Sequence, residues 1–272
     1  MKPKEILVFG ASGQIGRHLI RKLTKNNYKV VAVTRNIHQK GYILKTQANP
    51  GYLEIVELTY FNIEKIKSLV EECSICINLI GILFEKKKNF FKNIHTDFPD
   101  LLSKLSAKKN IEKLIHLSSL GIEKSLDSNY AISKLEGENK IKNNFDRVVV
   151  LKPSIVYSVD DNFTTNFMTL LNRLPIMPIY YEGKTKFAPI HVTDLAQIIF
   201  DVVQGKTNEQ TIECIGPEII SFKEIILKLL KTIDKKRLLI PLPLVIAKMT
   251  AKIFEIMPNP LITVDQINLL KH

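Results

Sequence analysis

Two groups of residues in this chain have types and spacings that can do chemistry. Gly10, Gly13 and Gly16 stand between an apolar run and an amphipathic segment in "ILVFGASGQIGRHLIRKL". A strand that feeds a helix through glycines combines a tight turn, an unobstructed backbone and free helix-terminal N–H groups, which together hold a diphosphate. The second group lies in "HLSSLGIEKSLDSNYAISKLEGE". Tyr130 and Lys134 are four apart at the start of a helical pattern and so share one face. An ammonium beside a phenol favours the phenolate and lowers a pKa of about 10, as a general acid or base requires. Ser119, at the end of the preceding apolar run, would donate to a substrate oxygen. A Tyr-x-x-x-Lys pair also occurs on ordinary exposed helices, and a glycine turn also occurs without a ligand, so the surrounding elements decide.

The end of the second apolar run, "VAVTRN", bears on the kind of dinucleotide. Sites that prefer NAD(H) place Asp or Glu there to accept from the ribose 2′-OH. Thr34 and Arg35 stand there instead. No carboxylate repels a 2′-phosphate, and a guanidinium can pair with it bidentately. Arg17, just after the third glycine, offers a second cation. The expected cofactor is therefore NADP(H), with NAD(H) the weaker alternative.

The elements around these residues alternate regularly. Residues 5–10, 28–34, 53–59, 74–81, 113–119 and 147–153 are short, β-branched and apolar on both faces, as strands covered on both sides are. Residues 14–25, 63–72, 96–108 and 133–142 carry apolar positions at three and four spacing. Such alternation predicts an α/β protein: a doubly wound parallel sheet with right-handed crossovers and a smaller C-terminal α/β lobe. We place the dinucleotide-binding unit at 1–153, completed by about 184–205, and the small lobe at about 154–183 and 206–272. A helix from about Val192 and another opened by Ser221, three residues before Glu224 in capping-box fashion, belong to this second half. The last 35 residues are apolar and punctuated by prolines, the pattern of lobe core or of a face that meets a partner or a membrane surface.

Composition excludes several classes. No apolar run reaches the roughly 18 residues a membrane span needs, and "MKPKE" leads straight into a strand without a leader pattern. The expectation is a soluble, cytoplasmic chain. The net charge is +12, but its lysines are dispersed and accompany no nucleic-acid-binding motif, so nucleic acid is not an expected partner. Three cysteines imply no disulfide framework, and no metal-ligand spacing is present. The C-x-x-C of Cys73 and Cys76 precedes a strand rather than opening a helix, where a thiol would be activated.

Together these motifs resemble the short-chain dehydrogenase/reductase superfamily in its extended branch, the NAD-dependent epimerase/dehydratase-like proteins. "GASGQIG", "NLIG", "HLSS", "YAISK", "LKPSIVYS" and "FAPIHVTDLAQII" match in order over nearly the whole chain. The resemblance implies phosphate cradling by Gly10, Ser12, Gly13, Gln14, Ile15 and Gly16. It puts 2′-phosphate recognition on Arg35 and Arg17. Nicotinamide-side contacts fall on Leu79, Ile80, Gly81, Ser118, Tyr130, Lys134, Pro153, Ser154 and Ile155. Relatives often carry an Asp near the end of the third strand for the adenine; here Leu58, Thr59 and Tyr60 follow that strand, so the adenine contacts are not assigned. Within the superfamily, "NLIGILFE", "YYEGKTKFAPIHVTDLA", "IGPEIISFKEI" and "PLITVDQINLL" resemble the NADPH-binding accessory subunit of respiratory complex I and its alphaproteobacterial homologues. That likeness implies a bound NADPH with a structural or assembly role, partners among complex I subunits, and a peripheral place at the inner membrane, on the matrix side in a mitochondrion. The alternative is a soluble NADP(H)-dependent reductase, epimerase or dehydratase that uses Ser119, Tyr130 and Lys134 on a small carbonyl or sugar-nucleotide substrate.

Overall fold

Six of the seven strands of the main sheet form where apolar, β-branched runs predict them. The computed structural model describes residues 5–59, 62–85, 87, 89–256, 260 and 262–271. The chain runs β1 (Glu5–Phe9), α1 (Gln14–Lys25), β2 (Lys29–Thr34), α2 (Ile37–Lys45), β3 (Leu53–Glu57), α3 (Ile63–Glu72), β4 (Ile75–Asn78), α4 (Phe98–Lys109), β5 (Lys113–Leu117), α5 (Asn129–Asn144) and β6 (Val148–Pro153). It continues with β7 (Val156–Tyr157), α6 (Asn162–Arg173), β8 (Ile176–Ile179), β9 (Lys186–Phe187), β10 (Ile190–His191), α7 (Val192–Val203) and β11 (Thr211–Cys214). The last elements are β12 (Ile220–Ser221), α8 (Phe222–Thr232), β13 (Leu238–Pro241), α9 (Leu244–Phe254) and α10 (Val264–Leu269).

The main sheet is parallel throughout, in the order β11-β6-β5-β4-β1-β2-β3. Side chains alternate across it. Ile6, Val8, Ile75, Ile77, Ile115 and Leu117 pack with α1 and α7 on one face, while Leu7, Phe9, Cys76, Leu114, Val148 and Val150 pack with α3, α4 and α5 on the other. This two-sided burial is the physical reason the strands read as continuous apolar runs. A smaller core forms where Leu171, Met177, Ile179, Phe222, Ile226 and Leu230 meet, between α6, β8 and α8.

Four details differ from the sequence reading. The strand at Thr211–Cys214 pairs in parallel with Val150–Pro153 and closes the main sheet, although 206–272 reads as small lobe; four residues are too short to show which sheet they join. Helix α2 forms over a stretch that carries no clear periodicity, started by Asn36 accepting from the Gln39 N–H. A π-helical turn, Lys92–Asp97, precedes α4, and α5 begins at Asn129 rather than near Ser133. The capping box at Ser221 and Glu224 forms as expected, with the carboxylate accepting from the Ser221 N–H at 2.6 Å. Tyr60, named with the missing adenine contact, lies outside the described residues. All three cysteines are free and buried, and burial pushes the Cys73 and Cys214 thiols up to about 12, so neither is a nucleophile.

Candidate functional site

The site lies at the carboxyl ends of β1 and β4, where the strand order reverses and an open α/β sheet forms a crevice. Gly10 has φ +76°, and a Cβ there would meet the Leu79 carbonyl carbon at 3.0 Å, so the turn after β1 and the segment after β4 touch backbone to backbone. A Cβ at Gly16 would stand 2.4 Å from the Ala11 carbonyl oxygen, so only glycine lets α1 leave the turn this closely. Gly13 is the N-cap of α1 and has no side chain to cap with, and the first turn of α1 carries no acidic residue. Its own N–H closes the turn by donating to the Gly10 carbonyl at 3.0 Å. The N–H groups of Gln14, Ile15 and Gly16 and the positive end of α1 are thus left for an anion. Ile15 packs beneath the turn on the core side. These observations fit a bound dinucleotide diphosphate.

Side chains around the turn divide by what already holds them. The Thr34 hydroxyl donates to Ser12 Oγ at 3.2 Å, which brings the end of β2 against the glycine turn. Arg35, next in the chain, is exposed and makes no hydrogen bond or ion pair among the described residues. Its guanidinium is available where a ribose 2′-phosphate would lie. Arg17 is engaged: Nη2 donates to Asp160 at 2.6 Å and Nε to the Gly13 carbonyl at 3.3 Å. Gln14 donates to Ser158 Oγ at 2.9 Å. Gln14 and Arg17 together tie the loop after β7 to the first turn of α1. The Asp160 carboxyl is held below its usual range by the Ser158 hydroxyl and by Arg17, although partial burial opposes the shift.

The nicotinamide side is more heavily buried than the sequence suggests. The Ser119 hydroxyl stands close enough to the Tyr130 phenol to favour its phenolate, bringing two of the three chemical residues together. Lys134 is 3% exposed, and its Nζ donates to the Leu117 carbonyl at 2.9 Å. Burial holds its pKa down to about 8, with Glu138 opposing. The expected lowering of the Tyr130 pKa does not occur: burial pushes the phenol up, Asp265 adds to this, and only the Ser119 hydroxyl opposes. Tyr130 is 8% exposed and packs with Phe91, Ile122 and Ala131.

The Gly81 backbone passes close to Lys134, because a Cβ at Gly81 would lie 3.6 Å from Nζ. The Ser118 hydroxyl faces α5 and donates to the buried Glu138 carboxylate. Glu138 also pairs with Lys152 at 3.1 Å, and Lys152 pairs with Glu123. The Ser154 hydroxyl accepts from the Ala188 N–H at 3.2 Å, the Pro153 carbonyl accepts from Leu120 N–H at 3.0 Å, and the Ile155 carbonyl accepts from Ile190 N–H at 2.9 Å. Pro153 and Ile155 therefore shape the wall after β6 through their backbone, and Ser154 through its hydroxyl.

Three further groups position the site and escaped the sequence reading. His95 Nε2 accepts from the Ile82 N–H at 3.1 Å, which assigns the ring proton to Nδ1, 3.0 Å from Ser133 Oγ. Burial and the Lys134 charge hold His95 down to about 2, so it is a neutral bridge between the segment after β4 and α5. Asn78, the last residue of β4, makes a similar bridge, with its Oδ1 accepting from Ile80 N–H and its Nδ2 donating to His116 Nδ1 on β5. Asp265, on α10, accepts from Asn129 N–H at 2.6 Å, Tyr130 N–H at 3.2 Å and the Ser128 hydroxyl at 2.8 Å. It caps the helix that carries Tyr130 and Lys134 from 135 residues away. Asp265→Ala should therefore lower stability by about 1–2 kcal/mol, read as a fall in Tm, while Asp265→Asn, which keeps an acceptor, should lose less than half of that. Equal losses in the two variants would assign the effect to packing instead.

Residues 6–214 match the NAD dependent epimerase/dehydratase family. The 40 kDa subunit of mitochondrial NADH-ubiquinone oxidoreductase from Neurospora crassa is 24% identical over 262 residues, covering 96% of this chain and 68% of that protein. The mitochondrial NADH dehydrogenase [ubiquinone] 1 alpha subcomplex subunit 9 of Arabidopsis thaliana is 26% identical, covering 97% of this chain and 68% of its own length. Among solved structures, the Bordetella bronchiseptica enzyme WbmG, in complex with NAD, superposes with a TM-score of 0.72 at 14% identity, covering 89% of this chain and 82% of that one. That likeness is one of fold.

Proposed function

The chain belongs to the NAD dependent epimerase/dehydratase family, and from that premise we propose that it is a dinucleotide-holding accessory subunit of respiratory complex I. Its dinucleotide is NADP(H), kept as a bound structural group. Relatives named as complex I subunits, from Neurospora crassa and Arabidopsis thaliana, align with almost the whole chain, which supports this reading. A place in that complex implies a peripheral position at the membrane, on the matrix side in a mitochondrion, and no described helix is long and apolar enough to span a bilayer.

The observation that carries the reading is the state of Tyr130. A general acid or base needs access to substrate and a pKa near the working pH. Here the phenol is buried, pushed up rather than down, and its cluster packs against Leu269 of α10. Lys134 is committed to the Leu117 carbonyl. When bound, the nicotinamide would supply hydride-transfer capacity, but these residues hold and seal rather than move a proton. Gly10, Gly13 and Gly16 give the diphosphate its backbone approach, and Arg35 meets the 2′-phosphate. Glu57, at the end of the neighbouring strand, is engaged in accepting from the Ile37 N–H at 3.0 Å.

The test is to denature the purified chain and identify the released nucleotide by mass spectrometry, with native-gel migration alongside complex I. NADP(H) is expected. Arg35→Ser should weaken NADP+ binding at least about tenfold and leave NAD+ binding within about twofold, since only the 2′-phosphate contact is lost. Released NAD(H), or a chain absent from complex I whose deletion leaves the complex intact, would refute the reading. The closeness of the Ser119 hydroxyl to the Tyr130 phenol favours the reductase alternative, and carbonyl-reducing turnover abolished by Tyr130→Phe would establish it.

A further inference from the structure

Helix α9 turns its apolar side outward. Ala247 and Ala251 are its buried residues, packed with Tyr180 and Ile267. The opposite side presents Val245 at 72% exposure, Met249 at 63% and Ile253 at 65%, with Ile256 at 84% just beyond the helix end. At 3.6 residues per turn these four fall on one stripe. A surface helix of a water-soluble protein shows the reverse arrangement. Ile246 widens the stripe, and the short β8–β13 ladder adds Leu238 paired in register with Ile176, both exposed, and the exposed Ile240. A cleft of about 330 Å³, lined by Tyr180, Pro241, Leu242 and Leu244 among others, adjoins the first turn of the helix.

The charge along this stretch is predominantly positive. Residues 231–256 hold Lys231, Lys235, Lys236, Arg237, Lys248 and Lys252 against Asp234 and Glu255. Glu255 is turned to α10, where it accepts from the Val264 N–H at 2.8 Å. Lys248 and Lys252, four apart, border the stripe on α9 itself.

We propose that α9 and the β8–β13 edge are the surface by which this protein lies on an anionic phospholipid bilayer, with α9 in the plane of the headgroup–acyl boundary. This deepens the accessory-subunit reading by naming a partner, and it rests on that reading for the identity of the membrane. The core of a protein interface is depleted of charge and its rim is polar. An apolar stripe bordered along one side by Lys248 and Lys252, in a stretch whose charge is predominantly positive, matches the layered chemistry of a bilayer surface, where acyl chains lie beneath phosphates. The interfacial geometry needs no span: the 11 residues of α9 lie flat and bury one side.

Flotation of the full chain with vesicles tests the proposal, using phosphatidylcholine alone and phosphatidylcholine with about 30% phosphatidylglycerol, enough to attract a polybasic patch. Binding to the anionic vesicles only, weakening with salt, is expected. Replacing Lys248 and Lys252 by Gln should weaken binding about fivefold for each lysine. The triple variant Val245→Asp, Met249→Asp, Ile253→Asp should weaken it by roughly a hundredfold or more. Both variants should keep the wild-type Tm and dinucleotide affinity, because these side chains do not support the core. No flotation, or flotation undiminished in the triple variant, overturns the proposal. A wild type that does not float but loses complex I association in the triple variant also overturns it, in favour of a protein partner. A chain that floats as expected but releases no NADP(H) refutes the accessory-subunit reading and leaves this one standing.

Discussion

Gly137→Ala should cost this protein about 3 kcal/mol or more and lower its Tm by roughly 6–12 °C, at about 2–4 °C per kcal/mol for a chain of this size. Gly137 lies inside α5, where alanine is ordinarily the better helix residue by about 1 kcal/mol. Here that preference is overridden. A Cβ at this position would stand 1.9 Å from the His95 carbonyl oxygen and 3.6 Å from Thr96 Cα, so α5 and the π-helical turn approach backbone to backbone. Separating them by the additional ångström or more that a methyl group needs pulls on two bonds that cross the same gap. His95 Nδ1 lies 3.0 Å from Ser133 Oγ, and the Thr96 hydroxyl donates to the Ser133 carbonyl at 2.9 Å. Both partners are buried, so loosening them exposes no water to replace what is lost. Gly41→Ala in α2 is the control, since a Cβ there meets only Ile37 Cγ1, at 3.2 Å, and that side chain can give. It should stay within about 1 kcal/mol of wild type. Thermal denaturation of both variants decides the matter, and a Gly137→Ala protein that melts with the wild type would mean that the contact is not as close as described.

That glycine also shows where the sequence stops being legible. The strands could be read because burial on both faces makes their central positions apolar, and α1 and α3 could be read to the residue because each has one apolar face. The glycine turn, Arg35 and the Tyr130–Lys134 pair stand out in the sequence because the signal each carries is one of local spacing. Gly137 gives no such signal, since a glycine inside a helix marks a close approach only once its neighbour is known. Asp265 is illegible for the same reason: the helix end it caps lies 135 residues away in the chain. Glu138 is different, standing four residues after Lys134 on the same helix face, so a buried acid beside the lysine could have been anticipated from spacing alone. Ser118 and Ser119 are adjacent and chemically equal, but strand alternation sends one hydroxyl to Glu138 and leaves the other for Tyr130.

Lys134→Met should stabilise the folded chain at pH 7 while weakening its hold on the dinucleotide. The lysine titrates near 10.5 when solvated and near 8 here, because burial disfavours its ammonium form. Below pH 8 both folded and unfolded chains carry the charge, and the folded chain bears the full desolvation cost. A depression of about 2.5 corresponds to about 3 kcal/mol. Methionine has similar length and no charge, but it leaves the Leu117 carbonyl without the lysine it accepts from, at a cost of about 1–2 kcal/mol. The net gain is about 1–2 kcal/mol at neutral pH. It should shrink as pH rises through the interval from 8 to 10.5, where the wild-type lysine is neutral in the folded chain but still protonated when unfolded, so that wild-type stability climbs with pH. Above 10.5 the lost hydrogen bond alone remains, and the variant should become the less stable protein. Urea denaturation at pH 7 and pH 10, with NADP+ titrations of both proteins, separates the two effects. A variant already less stable at pH 7, or a stability difference that does not change between the two pH values, would mean that the ammonium is solvated and that Lys134 is held in place by something other than its function.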